Sequence, residues 1–259
     1  MTLKEKMLKI YWMIPIGFRK PLFSMFAYLM EFLKPLIVLK MKKGKFLNKR
    51  IKNIESIYMS FKFVTSFHYF GFSIKTGQIK DEIIQLLKIL KSAKPKIIIE
   101  IGTAGGGTLF LFTRIAHPNA TIISIDLPRG PFGGGYAKWK YPIYSSFVRQ
   151  KQQLKLIRAN SHNPETFKNV KKYLNGKLID FLFIDGDHTY EGVKMDFKMY
   201  SILVKKGGII AFHDIVEHSK DGSCQVNRFW DEIKHNYKSL EIIQDKNQKW
   251  AGIGLIYYY

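Results

Sequence analysis

Cysteine is almost absent from this chain. Cys224 stands alone, which excludes an internal disulfide framework and fits a reducing compartment. With no second Cys beside it, Cys224 reads as structurally incidental. Acids are scarce beside bases, 20 Asp and Glu against 42 Lys and Arg, for a formal net charge of +22. No apolar stretch runs for about 20 residues without charge or proline, so no transmembrane helix is expected. No small-residue cleavage site follows the apolar N-terminal part, so no secretory signal is expected either. Internal repeats and low-complexity linkers are also missing. What is left, 259 residues with 46% hydrophobic and 24% charged side chains, suffices for one sizeable α/β domain plus an extension.

The positive charge is unevenly spread. Residues 1–96 hold 20 Lys and Arg against 5 Asp and Glu, whereas residues 97–259 hold 22 against 15. Lysine enrichment by itself can reflect genome composition or a hot habitat. The functional alternatives are attraction to anionic lipid or to nucleic acid phosphate. Residues 10–41 are apolar and aromatic but interrupted by Pro15, Arg19, Pro21, Glu31, Lys34 and Pro35, and the run 40–52 then adds seven basic residues and no acid. Apolar aromatic surface beside a polybasic run describes a peripheral anchor on the anionic inner face of a membrane. Helices packed on the main domain or on a second subunit of a homo-oligomer share the pattern, and nucleic acid is the remaining alternative. The organisation expected is a basic, apolar helical extension over 1–77 and a main domain over 78–259, with a cytoplasmic location.

Within the main domain the period alternates. Ile79, Ile83, Leu86, Leu87 and Leu90 recur at helical spacing, with Asp81 and Glu82 in the first turn and Lys91 and Lys94 at the end. Pro95 closes that helix, and Ile97–Ile101, broken only by Glu100, reads as a buried strand. Further strands are expected at 121–126, 154–158, 179–185 and 208–214, with helices at 164–174, 190–204 and 226–237 between or after them. Closing strands fall at 240–243 and 252–258. Residues 54–72 read as a helix that gives way to a loop. Strands separated by helices imply a parallel, helix-covered sheet.

Gly102, Gly105, Gly106 and Gly107 follow the first strand and precede a helix. In an open parallel sheet such a turn lies at the carboxyl end of a central strand, where backbone can approach a nucleotide-like ligand. Glu100, Asp126, Asp185 and Asp214 fall at the ends of four strands, so the topology brings four acids to one crevice. Asp126 is placed to accept ribose hydroxyls, and Asn160 to read an adenine amino group. The loop 128–140 is glycine-rich and carries Phe132, Tyr136 and Trp139, a composition suited to a lid.

Four ordered segments carry a family resemblance: Glu-Ile-Gly-Thr-Ala-Gly-Gly-Gly-Thr (100–108), Ser-Ile-Asp-Leu-Pro (124–128), Phe-Ile-Asp-Gly-Asp-His-Thr-Tyr-Glu-Gly-Val (183–193) and Gly-Gly-Ile-Ile-Ala-Phe-His-Asp (207–214). Over about residues 78–259 the chain resembles class I S-adenosylmethionine-dependent methyltransferases, most of all the subgroup with small-molecule and sugar O-methyltransferases and cephalosporin-hydroxylase-like proteins. The resemblance implies a Rossmann-like seven-stranded, mostly parallel sheet with helices on both faces and an antiparallel C-terminal hairpin. It implies that Glu100, Gly102, Thr103, Gly105, Gly106 and Gly107 hold the methionine part of S-adenosylmethionine, with Asp126 on the ribose, Asn160 and Ser161 at the adenine and Asp185 at the border with the acceptor. It further implies a divalent metal ion on Asp185, His213 and Asp214. Here His213 replaces an acid or amide of the family pattern, which favours Zn, Mn or Fe over Mg. The metal-free alternative makes His188 or His213 the general base beside Asp185. The implied reaction is O-methylation of a small polar or glycan-linked acceptor. The competing readings are an NAD-dependent oxidoreductase, against which the glycine spacing argues, and a catalytically silent membrane- or nucleic-acid-binding protein on the same fold.

Overall fold

A computed structural model describes residues 33, 36, 46–69, 72–149, 151–218 and 222–259. Of the expected membrane-facing stretch 10–52, residues 10–45 lie outside the described residues apart from positions 33 and 36. Among the described residues, no helix is long and apolar enough to cross a membrane.

The chain enters through α1 (Phe46–Ile51) and α2 (Ile57–Ser66), then forms a short antiparallel hairpin, β1 (His68–Tyr69) and β2 (Phe72–Ser73). The hairpin occupies part of the stretch expected to loop. Helix α3 (Lys80–Ala93) follows, with Asp81 and Glu82 in its first turn and Lys91 in its last, the polarity its dipole favours. It leads into β3 (Ile97–Ile101), α4 (Gly107–Ile115), β4 (Thr121–Asp126), α5 (Tyr141–Ser145), β5 (Gln153–Arg158), α6 (Pro164–Leu174), β6 (Ile179–Ile184), α7 (Tyr190–Ser201), β7 (Val204–His213), α8 (Val226–Ile233), β8 (Lys238–Ile242) and β9 (Ile253–Tyr258). Strand β7 begins four residues earlier than the pattern 208–214 suggested. Its exposed residues Lys205–Gly207 interrupt the apolar run and hide the start.

Seven strands form one sheet in the order β5-β4-β3-β6-β7-β9-β8. The first five are parallel, and β9 inserts antiparallel between β7 and β8. Alternation along β3 serves both faces. Ile98 packs with α2, α3 and α4, while Ile97, Ile99 and Ile101 pack with residues of α6, α7 and α8. Leu47, Ile51, Ile57 and Val64 belong to the same apolar cluster as Ile98, so the described part of the extension packs as the outer layer of one sheet face.

Register aligns the strand ends. Ile101 pairs with Ile125 on one side and Ile184 on the other, and Ile184 pairs with Phe212. The next residues, Gly102, Asp126, Asp185 and His213, therefore emerge together along the carboxyl edge, as an open parallel sheet requires.

Two buried charged side chains tie the layers. Arg114 is 4% exposed and donates to the carbonyls of Ile51 and Phe147, joining α4 to α1 and to the segment after α5; burial and then Arg149 pull its guanidinium down to about 9. Glu82 is 1% exposed and accepts from Gln244 N at 3.0 Å, Gly252 N at 3.0 Å and Gln248 Nε2 at 2.7 Å, fastening α3 to the segments flanking the β8–β9 connection. Glu82→Ala removes the acceptor of the buried Gly252 N–H and of two part-buried donors, Gln244 N and Gln248 Nε2. The expected loss is about 3 kcal/mol in chemical unfolding, with an unchanged denaturant slope. A loss below about 1 kcal/mol would show that water replaces the carboxylate.

Candidate active site

The glycine turn after β3 is shaped by backbone contacts. Gly102 has φ +97°, and a Cβ there would stand 1.8 Å from the carbonyl oxygen of Asp185, so only glycine lets the ends of β3 and β6 touch. Its N–H donates to Ile125 O at 2.8 Å, and Asp185 N donates to Ile101 O at 2.8 Å. A segment preceding α3 then runs along the turn: Lys75 N donates to Gly105 O, and Gly107 N donates to Lys75 O. Gly105 and Gly107 press on this strap, and Gly106 packs on the ring of Tyr144. Thr103 is buried and hydrogen-bonds Ser124. Of the turn residues expected to meet the cofactor, Gly102 borders the pocket, while Gly105, Gly106 and Gly107 are spent on strap and ring.

Glu100 lies beneath the turn with 0% exposure. Oε2 accepts from Ser124 Oγ at 2.8 Å, and Oε1 has no partner. Burial outweighs the bonds from Thr108 and Ser124 and pushes the carboxyl up from 4.5 to about 8. Nearby, Thr76 Oγ1 and Gln78 Oε1 are also buried without partners, and Gln78 Nε2 donates to Asp185 Oδ2 at 3.1 Å. Sequence reasoning missed both residues, because neither belongs to a recognisable motif.

Asp126 is already heavily engaged. Oδ1 accepts from Thr103 N at 2.9 Å and Ala104 N at 3.1 Å, and Oδ2 accepts from Tyr136 N at 2.7 Å. Burial raises its pKa, while these N–H donors and the Arg158 charge act to lower it. Through Tyr136, the carboxylate pins the glycine-rich loop over the sheet edge. Gly135 has φ +64°, and a Cβ there would collide with Leu127 O and Asp126 Oδ2. At the loop's tip, Phe132 stacks on His188 with ring centres 4.8 Å apart and an interplanar angle of 16°.

Beneath this loop lies a pocket open to solvent, with about 590 Å³ of empty space that includes its open mouth. Ile125, Asp126, Leu127 and Pro131 line one side, Asn160, Ser161 and His162 another, and Gly102 with Asp185 to Asp187 its floor. Asn160 Oδ1 accepts from His162 N at 2.8 Å, and Ser161 O accepts from Tyr200 Oη at 2.8 Å, so α7 holds this loop in place. His162 Nε2 stands 3.2 Å from Asp196 Oδ1, a carboxylate buried on α7.

Beyond Asp185, which lines the pocket, two acids and two imidazoles converge. His188 sits 3.4 Å from Asp185 Oδ1 through Nε2 and 3.2 Å from Asp214 Oδ2 through Nδ1. His213 Nδ1 lies 3.3 Å from Asp185 Oδ1 and 3.2 Å from Asp214 Oδ2. Asp214 adopts φ +63°, a left-handed conformation that Asp tolerates better than most residues. Burial alone would keep both imidazoles neutral. The carboxylates prevail, pushing His213 up to about 10 and His188 up to about 11. For Asp185 and Asp214 burial also opposes the charged form, but the His213 charge and its neighbours hold Asp185 below and Asp214 well below the usual range.

Yet neither ring nitrogen of His213, 5% exposed, has a directed hydrogen bond. Asp185, His213 and Asp214 each present a donor atom within 4.8 Å of the others. Orphaned nitrogens between converging carboxylates fit a divalent cation. Cys224 belongs to this region as well: its sulfur lies within 4.8 Å of donor atoms on His188 and Asp214. The reading of Cys224 as incidental is therefore corrected. Its neighbours come from distant strand ends, so no local sequence pattern reveals them. His218, bonded to Asp214 Oδ1 at 3.1 Å, was missed for the same reason.

The pocket's lining sets apolar Ile125 and Leu127 beside polar Asn160, Ser161 and Asp185. Residues 99–215 match the profile of a family described as "Methyltransferase domain". An uncharacterized protein, R132, of Acanthamoeba polyphaga mimivirus is 38% identical over 123 residues, 46% of this chain and 52% of its own length. Protein y4gI of Sinorhizobium fredii is 24% identical over 173 residues, 66% of this chain and 18% of its own. The chain thus spans about half of the first relative and under a fifth of the second. Among solved structures, an O-methyltransferase from Bacillus cereus in complex with S-adenosylhomocysteine superposes with a TM-score of 0.51 at 15% identity, covering 71% of this chain and 84% of that one. The O-methyltransferase TomG from Streptomyces achromogenes, in complex with S-adenosylmethionine, gives 0.51 at 14% identity, covering 81% and 94%. The sheet order agrees with the fold of these solved structures, and the span 99–215 is similar to a methyltransferase domain.

Proposed function

We propose that the protein transfers a methyl group from S-adenosylmethionine to an oxygen of a small polar or glycan-linked acceptor. The observation that carries this reading is one pocket that runs from Asn160 and Ser161 past Gly102 to Asp185, the carboxylate that His188 meets at 3.4 Å. Asp185 thus joins the pocket to the acid–imidazole cluster.

In this reading the adenine lies by Asn160 and Ser161, the ribose meets the remaining acceptor capacity of Asp126, and the methionine end lies near Gly102, Asp185 and Gln78. Glu100 acts from beneath, as a buried acid that a cationic ligand end would draw into its charged form. The sulfonium is already activated, so the protein's work is alignment and proton removal. His188 stands on the acceptor side, oriented by Asp185 and Asp214; its neutral form, which these carboxylates disfavour, is the one that takes the acceptor's proton. Phe132 covers the ring and limits water access. A divalent ion on Asp185, His213 and Asp214 would supply Lewis acidity toward the acceptor oxygen. Its two charges equal those of the two imidazolium protons that now balance the carboxylates.

Isothermal calorimetry tests the cofactor. S-adenosylmethionine is expected to bind in the micromolar range, with roughly tenfold or greater weakening in Asp126→Ala, about 1.4 kcal/mol or more. Binding of NADH in its place would support the oxidoreductase reading, and no binding of S-adenosylmethionine would overturn this one.

Glu100 gives a pH signature in stability. Its folded pKa of about 8 exceeds the reference value of 4.5, so the stability from burying the neutral acid is complete below about pH 4.5 and is lost as pH rises toward 8. Glu100→Gln stays neutral throughout. The variant should gain on the wild type by up to about 1.4 kcal/mol per pH unit across that window, while binding S-adenosylmethionine more weakly. A stability difference that does not vary with pH would contradict this assignment.

A peripheral, inner-membrane location through residues 10–52 rests on the seven basic residues of 40–52 beside the aromatic run. Co-sedimentation with phosphatidylserine vesicles should fall strongly when Lys40, Lys42, Lys43 and Lys45 are changed to Gln. Equal sedimentation of both proteins would remove the membrane from the proposal.

A further inference from the structure

The carboxyl end of β7 gathers a set of donors of mixed chemistry. His188, Asp214 and Cys224 each offer one ligand atom, and these three atoms lie within 4.8 Å of one another. Cys224 is the chain's one cysteine and is 7% exposed; Asp214 is 3% exposed. The nitrogen of His188 that faces Asp214 is Nδ1, at 3.2 Å, whereas Nε2 is turned to Asp185. Backbone bonds hold the three together. Gln225 N donates to His188 O at 2.7 Å, which fixes the residue beside Cys224 against the loop after β6. The left-handed φ of Asp214 turns its carboxylate into the cluster.

Donor type decides which ion such a set takes. Magnesium and calcium demand oxygen ligands, whereas imidazole and thiolate select zinc, cobalt or ferrous iron. We propose that His188, Asp214 and Cys224 form a cation site selective for a late first-row divalent ion of the zinc type, sharing Asp214 with the Asp185–His213–Asp214 triad. Zinc–sulfur and zinc–nitrogen bonds of about 2.3 Å and 2.0–2.1 Å put two such ligands at most about 4.4 Å apart, so small side-chain movements close the site. Binding forms metal–sulfur and metal–nitrogen bonds and releases to solvent the thiol proton and the imidazolium proton on Nδ1 of His188.

The consequence rests on the methyltransferase reading. A neutral imidazole that binds an ion through Nδ1 keeps its proton on Nε2, and so cannot take one from an acceptor hydroxyl. Zinc at this site switches methyl transfer off, and removing it with a chelator restores transfer.

The test uses the full chain, as wild type, Cys224→Ser and Cys224→Ala, with Co²⁺ as spectroscopic probe and Zn²⁺ and Mg²⁺ as competitors. The wild type should show a thiolate-to-cobalt charge-transfer band that stoichiometric Zn²⁺ removes and equimolar Mg²⁺ leaves in place. Both variants should lack the band and bind Zn²⁺ roughly tenfold or more weakly, with Mg²⁺ binding unchanged. A wild-type cobalt spectrum without that band overturns the site, even should both variants fail to fold. Equal zinc affinity in wild type and folded variants overturns it as well. The band is read without S-adenosylmethionine, so its outcome is separate from the calorimetric test of the cofactor.

Discussion

The carboxylate of Asp126 accepts N–H groups from two loops: Thr103 and Ala104 of the turn after β3, and Tyr136 of the glycine-rich loop after β4. These loops form the floor and roof of the same pocket, so one buried side chain sets the gap between them. Three backbone donors would each be stranded in a partly dry environment without it, at a cost comparable to losing a hydrogen bond apiece. The strap at Lys75 and the ring of Tyr144 then brace the turn from outside. The pocket is thus prepared by contacts within the protein, which lowers the ordering cost of binding a ligand there.

At the other end the constraint is charge. Asp185 and Asp214 cannot both stay ionised at a half-buried strand edge without compensation, and His188 and His213 supply it. His213 does so without a directed hydrogen bond, an arrangement balanced in charge and unsatisfied in geometry. Such a cluster exchanges protons for a metal ion readily, because neither partner is locked by direction.

Much of this architecture was legible in the residues. The isoleucines of 97–101, the breaks at Pro95 and Gly102, and the acids at strand ends fixed the order of elements and brought Asp126, Asp185 and Asp214 to one edge. What stayed hidden has a common cause. Gln78, His218 and Cys224 reach the site through folds of the chain that no local period encodes, and their partners are set by register between strands far apart in sequence. The contacts of Gly105 to Gly107 were hidden differently: a glycine pressed on a neighbouring strap leaves the same trace in sequence as one beside a ligand, and the neighbours here are Lys75 and Tyr144. The early start of β7 escaped because Lys205 and Lys206 face solvent there.

The strap also bears on the order in which the chain assembles. Residues 72–78 leave the ribosome before the turn they brace, and the central strand β3 pairs with β6 only after Phe181 and its neighbours have been made. Until then Ile97 to Ile101 have one strand partner at most, β4, and one open edge. Non-local pairing of this kind slows folding and leaves a sticky edge exposed. A strap already seated on the turn would shield the end of that edge while synthesis continues. A fragment trimmed to the matched span 99–215 would be born without that protection.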